Sequence, residues 1–316
     1  MVQSLEQGST TPIPVLIDRG MDVMLGRKKC MFYALLITVN LLAYDALAES
    51  FVWKVSRGEN YFYLGGTVHL LSAQDHPLPV EFEIAYQDAD VLFFETDLVA
   101  IQNPKFQALL LAALTYSDHR TLTTELDPKI YQQLERFMAQ RQIPLENFNK
   151  FQPWGLSLIL TVLEYQRLGM VASYGVDGYF NTQALADSKA VMSLETPDEQ
   201  LGFIHAMTTV DANTGLQYTL RDLERLPEFI SSMKKNWRSG DLEAFSTSAL
   251  VVEMKRDFPA LYNTLVTDRN NAWMKRLTTL FDNNTTEFVL VGAMHLSGED
   301  GLLKQLEMQG FNVAQL

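Results

Sequence analysis

Short β-prone runs punctuate a chain that is otherwise patterned for helices, and this alternation limits the fold more than any other feature. Residues 51–67 read as a hairpin: Phe51-Val52-Trp53-Lys54-Val55 and Tyr61-Phe62-Tyr63-Leu64 flank a Gly58-Glu59-Asn60 turn. Asp90 to Thr96 (DVLFFET), Ala190 to Glu195 (AVMSLE) and Glu287 to Val291 (EFVLV) are buried strands by their apolar runs, and Phe311 to Leu316 is a closing strand. Helical periodicity fills Pro104–Tyr116, Pro128–Gln140, Pro153–Gly169, and then 216–238, 241–256 and 259–282. Thr196-Pro197-Asp198-Glu199 is a helix start, with an N-cap, a proline at the first position and acids in the first turn. No Gly-, Ser- or Pro-rich linker interrupts the series. The expectation is one mixed α/β (α+β) domain over 49–316 with a helix-rich second half.

The first 48 residues stand apart. Arg27-Lys28-Lys29 precedes an apolar run, Cys30 to Tyr44, and then Ala46-Leu47-Ala48. Basic, apolar and A-x-A segments in that order form a secretory signal peptide, and the apolar run is short for a membrane span. Cleavage is expected after Ala48, translation is expected to begin at Met21 or Met24, and the mature protein is placed in the periplasm or outside the cell, without a stable membrane span. Cys30 is the single cysteine, so no thiol or disulfide remains after cleavage, and Cys-based zinc or nucleophile chemistry is excluded. A formal net charge of −13 argues against nucleic acid, whose phosphates demand Lys and Arg.

Two segments repeat one device. Leu64-Gly65-Gly66-Thr67-Val68-His69-Leu70 resembles Leu290-Val291-Gly292-Ala293-Met294-His295-Leu296. Each Gly-x-x-His leaves a strand, and glycine there permits a sharp exit and close approach. The other strands end in Glu95-Thr96-Asp97 and Glu195-Thr196. Ligands of open α/β sheets bind beyond the carboxyl ends of the strands, so neighbouring strands would bring His69, His295, Glu95 and Glu195 to one rim. Imidazole with carboxylate suits a divalent cation, which lowers the pKa of bound water from about 15.7 to about 7. Glu95 follows four apolar residues, a costly place for an idle carboxylate; Asp97 reads as a loop acid, and Glu195 serves the site or the cap of the following helix. His76 is a further candidate ligand, while His119 and His205 read as structural. Arg269-Asn270 is a surface pair or an anion clamp. Gly175-Val176-Asp177-Gly178 looks like a fragment of a calcium loop without its remaining ligands.

The ordered segments WKV, YLGGTVHLL, DVLFFETD, YGVDGYF, SLETPDEQL, NWRSGD, LYNTLVTDRNNAW and FVLVGAMHLSGEDGLLKQLEMQGFNV resemble the TraB/GumN family from Trp53 to the C-terminus. The resemblance implies a central mixed sheet flanked by helices, and a relation to Tiki-type metalloproteases and the erythromycin-esterase/ChaN-like group. It puts His69, His295 and Glu95 in a metal-dependent catalytic site, with Glu195 a weaker match, and places a recurrent Arg-Asn pair on Arg269-Asn270 and a Gly-x-Asp element on Gly175 and Asp177.

The reading that follows is an exported metal-dependent hydrolase of peptides or other small substrates. His69, Glu95 and His295 would hold Mn, Co or Zn, Glu195 would act as base and Arg269 would steady the oxyanion. The alternatives are a metal-free esterase-like hydrolase, with His69 as base and Glu95 as its orienter, and a non-enzymatic ligand- or peptide-binding protein.

Overall fold

The hairpin forms where Gly58 can take φ +64°: Val52–Arg57 (β1) turns into Asn60–Thr67 (β2). The computed structural model describes residues 50–316; the signal segment, Cys30 and the alternative starts at Met21 and Met24 lie outside them. β2 pairs in parallel with Glu287–Gly292 (β5), β5 with Val91–Thr96 (β3), and β3 with Ala190–Glu195 (β4). β1 runs antiparallel to β2 and to the closing strand Asn312–Gln315 (β6), giving the order β4-β3-β5-β2-β1-β6. The expected mixed sheet is present, and its four parallel strands all point their carboxyl ends to one edge.

Parallel neighbours need crossover connections, and helices supply them. They are Val80–Asp88 (α1), Pro104–Leu114 (α2), Pro128–Gln140 (α3), Pro153–Arg167 (α4), Val176–Ala186 (α5), Pro197–His205 (α6), Ala212–Arg238 (α7), Ala249–Asp257 (α8), Asp268–Leu277 (α9) and Leu302–Met308 (α10). Prolines open α2, α3, α4 and α6 at positions whose N–H would have no helical partner. Thr196 and Glu199 close a capping box at α6, and the Asp211 side chain accepts from Thr214 N–H at α7. Every residue of β5 is buried, which explains its uninterrupted apolar run, whereas β4 at the sheet edge exposes its first three residues. One apolar cluster surrounds the sheet; a second, with Leu134, Leu156, Leu160 and Leu223, joins α3, α4 and α7.

Two expected helices are broken. Residues 241–256 divide into a short turn and α8, with Ser248 as the new N-cap. Within 259–282, a π-helical turn at Asn263–Thr267 precedes α9; such turns insert one residue per turn and re-aim the side chains that follow, here Arg269 and Asn270. Gly175–Gly178 is the start of α5 rather than a calcium loop fragment, because both glycines press on backbone. A Cβ on Gly175 would lie 2.0 Å from His69 O, and one on Gly178 would lie 2.2 Å from Ala172 O. Among the described residues no helix is long and apolar enough to cross a membrane.

Candidate active site at the parallel strand ends

Parallel register gathers the polar strand ends. Thr67 lies beside Gly292, and Thr96 beside Glu195. His69 and His295 follow β2 and β5, Glu95 and Glu195 end β3 and β4, and Arg269 reaches in from the first turn of α9. All five expected site residues thus belong to one cluster.

Arg269 is its hub. Its Nε and Nη2 donate to Glu195 at 2.7 and 2.9 Å, and Nη2 also donates to Glu95 Oε2. Its side chain is 8% exposed, against 10% for Glu95 and 4% for Glu195, so one guanidinium and two carboxylates share a buried network. Bidentate Arg geometry suits this, and breaking such a network strands the remaining charges. Burial raises the Glu195 carboxyl, the Arg269 hydrogen bond and charge pull it down, and the neighbouring Glu95 charge raises it again, for a net upward shift. Burial also works to raise Glu95, but the cationic form of His295, then Arg269 and His69, hold it well below the usual carboxylate range. Since His295 is itself kept neutral, Arg269 and His69 supply the positive charge that Glu95 meets near neutral pH.

The two histidines are opposites. His295 is buried against Trp273, with ring centroids 4.4 Å apart, and burial pushes its pKa down to about 3. A neutral ring needs one N–H, and the geometry places it on Nδ1, 2.7 Å from Asn270 Oδ1. Asn270 is held in that sense because its Nδ2 donates to His295 O and Asp300 O at 3.0 and 2.8 Å. The bare Nε2 faces Arg269 Nη1 at 3.4 Å and Glu95 Oε1 at 3.7 Å. His69, by contrast, has a side chain 59% exposed, and its Nδ1 donates to Asp177 Oδ2 at 2.8 Å. The Asp177 charge raises its pKa to about 9; solvent at the open ring screens part of that pull. Thr67 Oγ1 donates to the other Asp177 oxygen at 3.0 Å, so the orienting carboxylate is itself fixed.

Gly292 lies at the centre. Its N–H donates to Glu95 Oε1 at 2.7 Å, and a Cβ placed on it would fall 3.2 Å from Glu95 Oε1 and 3.3 Å from His69 Nε2. The missing side chain is what leaves open the small space between imidazole and carboxylate. As a cation site the arrangement fails on one point: Arg269 takes up Glu95 Oε2 and approaches His295 Nε2, so a dication would meet a guanidinium. Among the described residues no three His, Cys, Asp or Glu side chains are arranged to hold a metal ion. The donors as placed do not fit one.

Asp97 caps the loop after β3, accepting from Val99 N–H and Ala100 N–H. His76 bonds Tyr174 O at 2.8 Å and packs on Tyr174 and Tyr179. Asp177, rather than Glu95, orients His69, and Asn270 does the same for His295. The sequence signals for them were the close-packing glycines around Asp177 and the Arg269-Asn270 dipeptide.

The chain is 26% identical over 250 residues to the uncharacterized protein YbaP of Escherichia coli (strain K12), covering 79% of this chain and 89% of that one. It is 25% identical to the protein of the same description from Shigella flexneri, with the same coverage. No solved structure matches the chain. The sequence profile of the TraB/PrgY/gumN family matches residues 51–315, every strand and every site residue included, and the protein belongs to that family.

Proposed function

We propose that this protein is a hydrolase of acyl compounds, cleaving an amide or ester bound at the parallel strand ends. One observation carries the reading. His69, open to the cleft and held through Nδ1 by Asp177, presents Nε2 at the space over Gly292, with Glu95 and Arg269 beside it. An imidazole fixed this way by a carboxylate is a proton carrier. Neutral His69 takes a proton from water as the water oxygen bonds to the substrate carbonyl carbon. It then returns the proton to the departing nitrogen or oxygen as that bond breaks. Arg269 supplies positive charge where the carbonyl oxygen becomes anionic. Glu195, with both oxygens on Arg269, serves to aim the guanidinium rather than to move protons.

A metal-dependent form of the same hydrolysis is the second reading. What favours it is that both histidines are held through Nδ1, the arrangement that orients metal-ligating imidazoles, with His69 Nε2 and Glu95 Oε1 flanking one space. It requires Arg269 to release Glu95. We place the protein in the periplasm or outside the cell on the strength of residues 27–48, and mass spectrometry of the mature N-terminus, expected at Glu49, checks this.

The deciding experiment is hydrolysis of a panel of peptides and esters by protein dialysed against chelator, with and without Mn²⁺, Co²⁺ or Zn²⁺. Turnover by the chelated protein that is lost in His69→Ala supports the first reading. Turnover only with metal supports the second. No turnover in any arm, with the fold intact, makes the protein a binder.

A further inference from the structure

The site stands between two hollows. His69 and Glu95 line both of them, one of about 580 Å³ and the other of about 600 Å³. The first is walled by Phe229, Met233, Phe245, Val251, Met254 and Met294. It shares Tyr165, Phe229 and Met233 with a third hollow of about 380 Å³ between α4 and α7, which continues past Leu223, Leu226, Ile230 and Phe258 to Trp154. The second hollow mixes apolar side chains, among them Phe94, Leu98, Phe106 and Ile204, with the neutral polar Gln102, Asn181 and Gln200.

We infer that the substrate is an amphiphilic acyl compound, with a long unbranched hydrocarbon chain running from His69 into the hollow between α4 and α7 and an uncharged, amide- or hydroxyl-bearing head on the other side of His69. The inference rests on the hydrolase reading and names its substrate class. Along α4 the wall extends from Trp154 to Tyr165, about 16 Å at 1.5 Å per residue, a depth that suits an extended chain. Two hydroxyls on that wall are already committed, since Thr161 Oγ1 donates to Ser157 O at 2.8 Å and Thr219 Oγ1 to Gly215 O at 2.9 Å, and the Ser157 hydroxyl is buried away from the hollow's surface. A peptide main chain laid there would bury donors and acceptors without partners, which is costly, whereas methylenes need none. Methionines at the entrance are adaptable and tolerate a flexible guest. The Gln102, Asn181 and Gln200 amides opposite can both donate and accept, matching a neutral polar head. Cleavage puts the water oxygen on the acyl carbon and the water's protons on the released acid and head, so the products are a fatty acid and an alcohol or amine.

The test uses purified protein and straight-chain fatty acids from butyrate to palmitate, each below its micellar concentration, with binding read from tryptophan emission, to which Trp154 reports directly. Affinity is expected to rise about fourfold per methylene until the hollow is full. Thr161→Phe, which fills the α4 wall, is expected to collapse the palmitate-to-butyrate ratio at least tenfold; Leu226→Phe from the α7 wall gives the same readout should the first variant fold poorly. p-Nitrophenyl esters of the same acids report turnover. Affinity flat with chain length, or a ratio unchanged in both folded variants, overturns the inference. Hydrolysis of short esters or peptides without chain-length preference also overturns it and leaves the hydrolase reading intact. Length-dependent binding without turnover supports the chain site and removes the hydrolase reading.

Discussion

The two Gly-x-x-His segments share a sequence pattern, a strand exit and an Nδ1 hydrogen bond, yet they hold their histidines in opposite states. His69 is open, faces the Asp177 carboxylate and is raised to about 9; His295 is closed in, faces the Asn270 amide and is lowered to about 3. The motif therefore delivers an imidazole to the rim but leaves its charge to the partner and to the depth of burial. The glycines differ as well. A Cβ on Gly66 would meet Leu296 Cδ1 and Phe51 Cδ1 at 2.8 Å, inside apolar packing, whereas a Cβ on Gly292 would meet Glu95 and His69. One glycine serves the core and the other the chemistry.

Removing the hub should disturb both segments at once. Arg269→Met leaves Glu95 and Glu195 buried without their cation, and a loss of roughly 3–5 kcal/mol is expected. At about 2–4 °C per kcal/mol this lowers the thermal midpoint by on the order of 10 °C, and hydrolysis disappears. A calorimetric midpoint within about 2 °C of wild type would show that the clamp is not structural.

Asp177→Asn gives His69 the amide partner that His295 has. Its pKa should fall from about 9 towards 6.5, and turnover should drop about 10²–10⁴-fold at its optimum as the orienting charge is lost. In the wild type, turnover should climb as pH rises through the His69 pKa, because only the neutral ring accepts a proton; in the variant that limb moves to lower pH. Stability has the reverse sense. A raised histidine pKa stabilises the fold fully below about 6.5, and that contribution is lost as pH rises towards 9. Denaturant titrations across this window should show the slope in wild type and not in Asp177→Asn; equal slopes would mean Asp177 does not set the charge of His69.

Much of the fold is legible along the chain because its signals are local. Gly58 marks the hairpin, prolines at 104, 128, 153 and 197 mark helix starts, and apolar runs mark β3 and β5. The two histidines and two glutamates of the site were legible as strand ends because the parallel register brings such ends to one edge. What binds them was not. Asp177 reaches His69 across 108 positions and Arg269 reaches Glu95 across 174, and no periodicity encodes such pairings. The π-helical turn before Arg269 escaped for a similar reason: its sequence is helical, and only packing decides that the turn must widen.

The glycines give the two smallest effects. Gly66→Ala should cost about 1–3 kcal/mol by overpacking, measurable as a shifted urea midpoint, with specific activity of the folded fraction kept. Gly292→Ala should leave the midpoint nearly unchanged and lower kcat several-fold, since the neighbours that must yield are Glu95 and His69. The opposite outcome, Gly66→Ala inactive but stable, would erase the distinction between the two segments.

The closing strand has one more consequence. Ser50 N–H donates to Leu316 O at 3.2 Å and Leu316 N–H donates to Val52 O at 2.9 Å, so the segment from Ser50 to Leu316 is almost a ring. Joined there by a short linker and reopened in an exposed loop, it becomes a circular permutant in which β5, α10, β6, β1 and β2 follow one another along the chain. The half of the site built from both histidine segments would then be a local neighbourhood rather than the two far ends of a chain, and folding of the permutant should be faster for that reason.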